Sequence, residues 1–325
     1  MTEVLVSQLA HVEIISPKPQ ETVNWFKEVL GLEESGQDGT STYLRGWAEW
    51  FKHSVQVTEG PQPALGHIGW RAQGPEDPET VAGRIPGGEW IDGGFGHGKA
   101  YRYTSPGGQV HEIFWDVERY VAPAGLESVA PDRPQAFRPR GVAARYIDHV
   151  TVGVADMNAE IAFQKETLKL RHTASIDAEP GFRVFATLTS HVTHELGLVP
   201  DFSGIPGRLN HLAYAVDQRS DVHTAAQTFQ GHGTEVEFGP GIHGVDEITY
   251  LYVREPGGVR IELNAGGWRN FQPDWEAPVW TPPMGGTVIY RNLGMPDSMM
   301  ENFPPTAESA DQVHSTGMFA TGLQK

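Results

Sequence analysis

Two stretches of the chain carry one pattern of apolar and polar positions. Residues 8–34 read QLAHVEIISPKPQETVNWFKEVLGLEE, and residues 146–171 read YIDHVTVGVADMNAEIAFQKETLKLR. Each opens on a short apolar run with a single His, passes through a polar turn, and continues with apolar positions at helical spacing. In the first, Val23, Phe26, Val29 and Leu30 mark the apolar face of a helix, and Gly31 closes it as a C-cap glycine does. In the second, Ile161, Phe163, Thr167 and Leu168 hold the corresponding places. Two further runs, GHIGWRA with His67 and NHLAYAV with His211, start strands of the same kind. His11 to His67 is 56 residues and His149 to His211 is 62. Each interval accommodates a strand, a helix and about three more strands.

The ends of the two copies match as well. In TSPGGQVHEIFW, Glu112 follows Pro106 by six residues, and in REPGGVRIEL, Glu262 follows Pro256 by six. A Pro-Gly-Gly turn opens each strand and a Glu sits within it. The chain therefore divides into a half at 1–118, a Pro/Ala/Arg-rich linker at 119–144 and a second half at 145–265. Residues 266–306, rich in Trp, Pro and Gly, form an expected irregular arm over the second half, and 307–325 an expected mobile tail.

Composition narrows the chemistry. With 325 residues, 39% hydrophobic and 10% aromatic, the chain can bury two cores, and no apolar run is long enough to cross a bilayer. The absence of Cys removes disulfides, thiol catalysis and Cys-held metals. A formal charge of −17 disfavours nucleic acid and membrane surfaces as partners. No basic-then-apolar leader is visible at the start, so small-molecule chemistry in the cytoplasm is the expectation. Any metal must be held by His, Asp or Glu.

The repeat places three such residues at equivalent positions twice: His11, His67 and Glu112, then His149, His211 and Glu262. Two His and one carboxylate facing one point make a facial triad with open coordination positions, a donor set suited to non-haem Fe(II) or a similar dication. A lone strand His is usually a satisfied core or surface residue. The coincidence across two copies is what favours a metal.

These residues, with GPGIHGVDEITYLYVREPGGVRIEL at 239–263, resemble the type I extradiol ring-cleavage dioxygenases of the vicinal oxygen chelate superfamily. The resemblance covers residues 8–118 and 145–265. It implies an α+β fold of four βαβββ modules paired into two domains, each a curved mixed sheet around a cleft. It also implies Fe(II), with Mn(II) the less expected metal, on His149, His211 and Glu262. His194, in SHVTHELGL, maps onto the family's proton-handling residue beside the O2 position, with His191 the neighbour to be confused with it. His243 and Tyr252 map onto its substrate-facing hydrogen-bond donors, 19 and 10 residues before Glu262. The expected reaction is extradiol cleavage of a small aromatic diol by O2, in aromatic hydrocarbon catabolism, by a homo-oligomer, a homotetramer in the family. A glyoxalase-type isomerase or lyase, or a small-molecule-binding module of the same superfamily, are the alternatives.

Two further expectations follow from the resemblance. The family's first half is metal-free, although here it keeps its triad and also His53, His97 and Tyr103 as echoes of His194, His243 and Tyr252. Relatives acting on carboxylated catechols carry arginines beside GPG-x-HG, where this chain has Phe238 and Ile242, so an apolar substrate pocket and an uncharged catechol (catechol, alkyl- or halo-catechol) are expected. Arg269 and Arg291 of the arm could still reach that pocket. His172, His223, His232 and His314 are expected to be exposed.

Overall fold

The structure, a computed structural model, describes residues 4–191, 194–269, 272, 274–281, 284 and 295–306. Its elements form four βαβββ modules. The first is β1 (Val6–Ser16), α1 (Pro19–Trp25), β2 (Glu33–Asp38), β3 (Ser41–Arg45) and β4 (Val55–Glu59), with a π-helical turn, Phe26–Leu30, extending α1. The second is β5 (Ala64–Ala72), α2 (Asp77–Arg84), β6 (Glu89–Ile91), β7 (Ala100–Thr104) and β8 (Val110–Phe114). The third is β9 (Tyr146–Val154), α3 (Met157–Thr167), β10 (Arg171–Glu179), β11 (Phe182–Thr189) and β12 (Leu196–Pro200). The fourth is β13 (Arg208–Ala215), α4 (Arg219–Gly231), β14 (Val236–Ile242), β15 (Ile248–Arg254) and β16 (Arg260–Gly266). A short β17 (Val279–Trp280) pairs in parallel with β10.

Local chemistry sets the helix ends. Pro19 opens α1, and Gly31 closes its extension at φ +86°. A Cβ there would stand 2.1 Å from the carbonyl oxygen of Arg140, so glycine is required on two counts. Asp156 caps α3 by accepting from the backbone N–H groups of Asn158 and Ala159 at 3.0 Å.

The first two modules build one mixed sheet, ordered β2-β3-β4-β1-β5-β8-β7-β6. The last two build another, ordered β14-β15-β16-β13-β9-β12-β11-β10-β17. Each has the same centre. An antiparallel pair, β1–β5 or β9–β13, is flanked on one side by a parallel neighbour, β4 or β12, and on the other by β8 or β16. Alternation along these strands separates two faces. In the second sheet Leu212, Tyr214, Leu251, Val253, Ile261 and Leu263 enter the main hydrophobic core, which α4 covers with Val222, Ala225 and Phe229. The interleaved residues, among them His211, Tyr252 and Glu262, face the other way.

The halves are joined by reciprocal contacts. Buried Glu49 of the first half accepts from the backbone N–H of Ile147 at 2.7 Å, and buried Glu195 of the second accepts from that of Leu9 at 2.8 Å. Ile147 and Leu9 each precede the first triad His of their sheet by two residues. The Pro-Gly-Gly turns also cross over: Gly107 donates its N–H to Glu160 on α3, and Thr22 on α1 donates to Glu255.

Candidate metal centre

His149 on β9, His211 on β13 and Glu262 on β16 come from three adjacent strands. Register brings them level, because Ala213 pairs with His149 on one side and with Glu262 on the other, and His211 lies two residues back on the same face. All three side chains are buried. His149 Nε2, His211 Nε2 and Glu262 Oε2 form a triangle with every edge 3.1 Å. Cis ligands about 2.2 Å from a six-coordinate ion stand about 3.1 Å apart, so this donor set fits a divalent cation.

Outer hydrogen bonds aim the rings. Asp148 Oδ2 accepts from His149 Nδ1 at 2.8 Å, and Asn210 Oδ1 accepts from His211 Nδ1 at 2.8 Å. Both Nε2 lone pairs are thereby turned inward toward the carboxylate. Asn264 donates to Asp148 at 2.8 Å and holds it in place. Burial opposes charge on His149, but Glu262 and Asp148 outweigh it and hold its pKa up at about 9. His211, equally buried, is pushed down to about 4, with His149 adding to the effect of burial against the pull of Glu262. The two imidazoles outweigh the burial of Glu262 and keep its carboxyl well below the usual range. The cluster thus draws in positive charge, a demand that a dication answers.

The other expected residues gather around this triangle. The His194 ring lies 4.1 Å from that of His149, and Asp246 accepts from its Nδ1 at 2.8 Å. Asp246 sits at φ +60°, a left-handed conformation uncommon for a residue with a side chain. His191 is exposed and takes no part. His243 Nε2 and Tyr252 Oη share a hydrogen bond of 3.0 Å. Burial, with Glu262 beside it, raises the Tyr252 phenol well above its ordinary value, so it stays protonated and able to donate.

A cavity of 320 Å³ opens onto the triangle. Beyond the metal-facing residues, its wall is Ile176, Val184, Phe185, Val199 and Val245, with Met295, Met299 and Met300 added from the arm. Phe238 and Ile242, expected to form this wall, are not among its lining residues. Phe238 stacks on Tyr250 at 5.0 Å and on Tyr252 at 6.2 Å, behind the tyrosine that faces the cavity. Ile242 is half-buried and paired with Thr249 next to the turn of the β14–β15 hairpin. Arg269 is exposed and does not line the cavity, while Arg291, His314 and the expected tail lie outside the described residues. His223 and His232 are exposed as expected. His172 is not: it is half-buried and bonded to Ser175 Oγ at 2.8 Å.

Sequence reasoning missed Asp148, Asn210 and Asp246. For the first two a signal existed, since each triad His of the second half directly follows Asp or Asn.

The profile of the Glyoxalase/Bleomycin resistance protein/Dioxygenase superfamily matches residues 146–263. The chain is 34% identical over 285 residues to the manganese-dependent 2,3-dihydroxybiphenyl 1,2-dioxygenase of Geobacillus genomosp. 3, covering 85% of this chain and 90% of that one. It is 33% identical over 302 residues to the metapyrocatechase of Geobacillus stearothermophilus, covering 90% and 92%. Among solved structures, the homoprotocatechuate 2,3-dioxygenase of Brevibacterium fuscum superposes with a TM-score of 0.80 at 23% identity, covering 93% of this chain and 94% of that one. The 2,3-dioxygenase LapB of Pseudomonas sp. KL28 superposes with a TM-score of 0.77 at 20% identity, covering 86% and 98%. Relatedness along nearly the whole length of both chains settles the classification, and the chain belongs to the extradiol dioxygenases of this superfamily.

Proposed function

We propose that His149, His211 and Glu262 hold Fe(II), and that the enzyme opens an uncharged catechol beside its vicinal hydroxyls to give a hydroxymuconic semialdehyde-type product. The observation that carries the substrate class is the cavity wall. Apart from the metal-facing and hydrogen-bonding residues it is aliphatic, aromatic and methionine, and among the described lining residues there is no Lys or Arg. A substrate carboxylate entering there would lose its hydration with nothing to replace it.

When bound, the cation supplies a Lewis-acidic template that gathers the diol and O2 and lets electrons pass between them. The chain's own residues do the rest. Asp246 fixes the His194 ring by accepting a hydrogen bond from its Nδ1–H, leaving Nε2 to hold or deliver a proton beside His149. Tyr252 donates its phenolic proton toward a substrate oxygen and favours the anionic form of the bound diol, with His243 orienting that hydroxyl. Met295, Met299 and Met300 keep water off the ring and adapt to its substituents.

The metal is the narrower question. The same donors suit Mn(II), and a relative at 34% identity is named manganese-dependent, which makes Mn(II) the second reading. Metal-stripped protein reconstituted with Fe(II) or Mn(II) and given catechol, 3-methylcatechol or 3,4-dihydroxyphenylacetate in air tests both points. The expected result is a yellow product that needs O2, forms faster with Fe(II), and has kcat/KM at least roughly ten-fold lower for the carboxylated diol. Equal turnover of charged and uncharged diols refutes the substrate class, and activity with Mn(II) alone refutes the iron assignment. The same reading makes the protein a cytoplasmic homotetramer that engages neither nucleic acid nor membrane. No helix among the described residues is long and apolar enough to cross a bilayer.

A further inference from the structure

The first sheet holds a second cluster of the same kind. His11 on β1, His67 on β5 and Glu112 on β8 occupy the places of His149, His211 and Glu262, with Gly69 pairing both His11 and Glu112 as Ala213 pairs their counterparts. All three are buried, and each directs one ligand atom to within 4.8 Å of the other two. His11 Nε2 and His67 Nε2 are 2.9 Å apart, and His67 Nε2 stands 3.8 Å from Glu112 Oε2.

Proton placement makes this a set of converging lone pairs. Glu13 Oε2 accepts from His67 Nδ1 at 2.8 Å, so the His67 proton lies outward and its Nε2 faces in. Arg102 holds Glu112 Oε1, from its Nε at 2.8 Å, and leaves Oε2 pointing at the imidazoles. His97 completes the group. Its Nδ1 donates to the Gly98 carbonyl at 2.9 Å, and its Nε2 stands 3.8 Å from Glu112 Oε2. Burial, with His53, His67 and His97 nearby, keeps His11 uncharged by pushing its pKa well down.

The first site differs from the second in the ring that stands beside it. His97 stacks on Phe114 at 4.4 Å and lies over His11 at 5.4 Å. Three imidazoles and one carboxylate are the donor set of a four-coordinate structural site.

We propose that His11, His67, His97 and Glu112 bind a second divalent cation of the zinc type, with a structural role. The ion replaces the family's metal-free first half with a cross-link that ties β1, β5 and β8 to the 92–99 loop. Glu13 and Arg102 act as positioning residues for two of its ligands.

Full-length protein, stripped with chelator, equilibrated with excess Zn2+ and desalted, tests this by metal count per chain. Wild type is expected to retain two ions, His211→Gln one, His67→Gln one, and the double variant none. A single ion in wild type overturns the proposal, and so does a second ion that survives His67→Gln, since it would lie elsewhere. The coordination claim is read without altering the first half. Co2+ loaded into His211→Gln is expected to show the intense visible bands of a four-coordinate ion, and only the weak bands of a six-coordinate ion would overturn it. Neither readout depends on ring cleavage, so a failure here leaves the proposed reaction standing, and the reverse.

Discussion

The two halves share one topology and one triad, and a few side chains set their two sites apart. Each sheet brings His, His and Glu together from the same three strands. Around the second triad stand Asp148, Asn210, His194 and Tyr252, with a cavity beyond. Around the first stand Glu13, His53, Arg102 and His97, with aromatic packing beyond. Cross-strand register makes the decisive substitution plain. Tyr252 pairs with Glu262, and its counterpart pairing with Glu112 is Arg102, not Tyr103. Tyr103 points into the core beside His111, where the second half has Val253 and Ile261. A neutral donor facing an open cavity has been exchanged for a guanidinium clamped on the carboxylate. The scaffold of a metal site is thus separable from the few groups that make it reactive.

The largest effect should separate the triads outright. Glu262→Ala is expected to abolish ring cleavage, while Glu112→Ala keeps turnover near wild type and lowers the unfolding temperature. Steady-state kinetics and calorimetry on the two variants check this, and loss of turnover in Glu112→Ala would mean the halves do not divide the work. Next in size is His194→Ala, for which removal of a general acid–base group predicts a fall in kcat of about 10²–10⁴. The counterpart His53→Ala should leave kcat unchanged. Asp148→Asn comes third. It leaves the ligands in place but weakens the aim of His149, and a loss of about 10–100-fold in metal affinity or activity is expected by competition with a chelating dye.

The smallest effect is a pH dependence carried by one histidine of the first half. Buried His111 accepts from Trp70 Nε1 at 2.9 Å, and burial, with His67 adding to it, holds its pKa down from 6.5 to about 3. Between those values the unfolded chain takes up a proton that the folded chain refuses, so stability falls as pH drops through that window and is unaffected above it. Denaturant titrations from pH 8 to pH 4 should show this slope in wild type and a flatter one in His111→Leu. The variant should also lose about 1–3 kcal/mol at pH 7, because Trp70 keeps a buried N–H without an acceptor.

The fold was legible because the repeat states its own period: strand His, helix, turn, strand Glu, twice. The triad was legible for the same reason. The cavity wall was not. Phe238 and Ile242 neighbour the GPG-x-HG motif in sequence, but Phe238 stacks on Tyr250 and Tyr252, Ile242 pairs with Thr249, and neither lines the cavity. The true wall comes from β10, β11, β12 and a methionine-bearing turn of the arm, whose meeting is a property of the folded sheet. Asp246 was hidden because its role depends on a left-handed backbone that no local composition announces.

Glu49 and Glu195 carry a consequence for how the halves meet. Each carboxylate crosses to the other half and receives the same backbone N–H, two residues ahead of the same histidine. Such exchange, i to j and j to i, is the signature of an isologous two-fold interface. The halves therefore meet as a pseudo-two-fold pair within one chain, each bracing the strand that carries the other's first triad histidine.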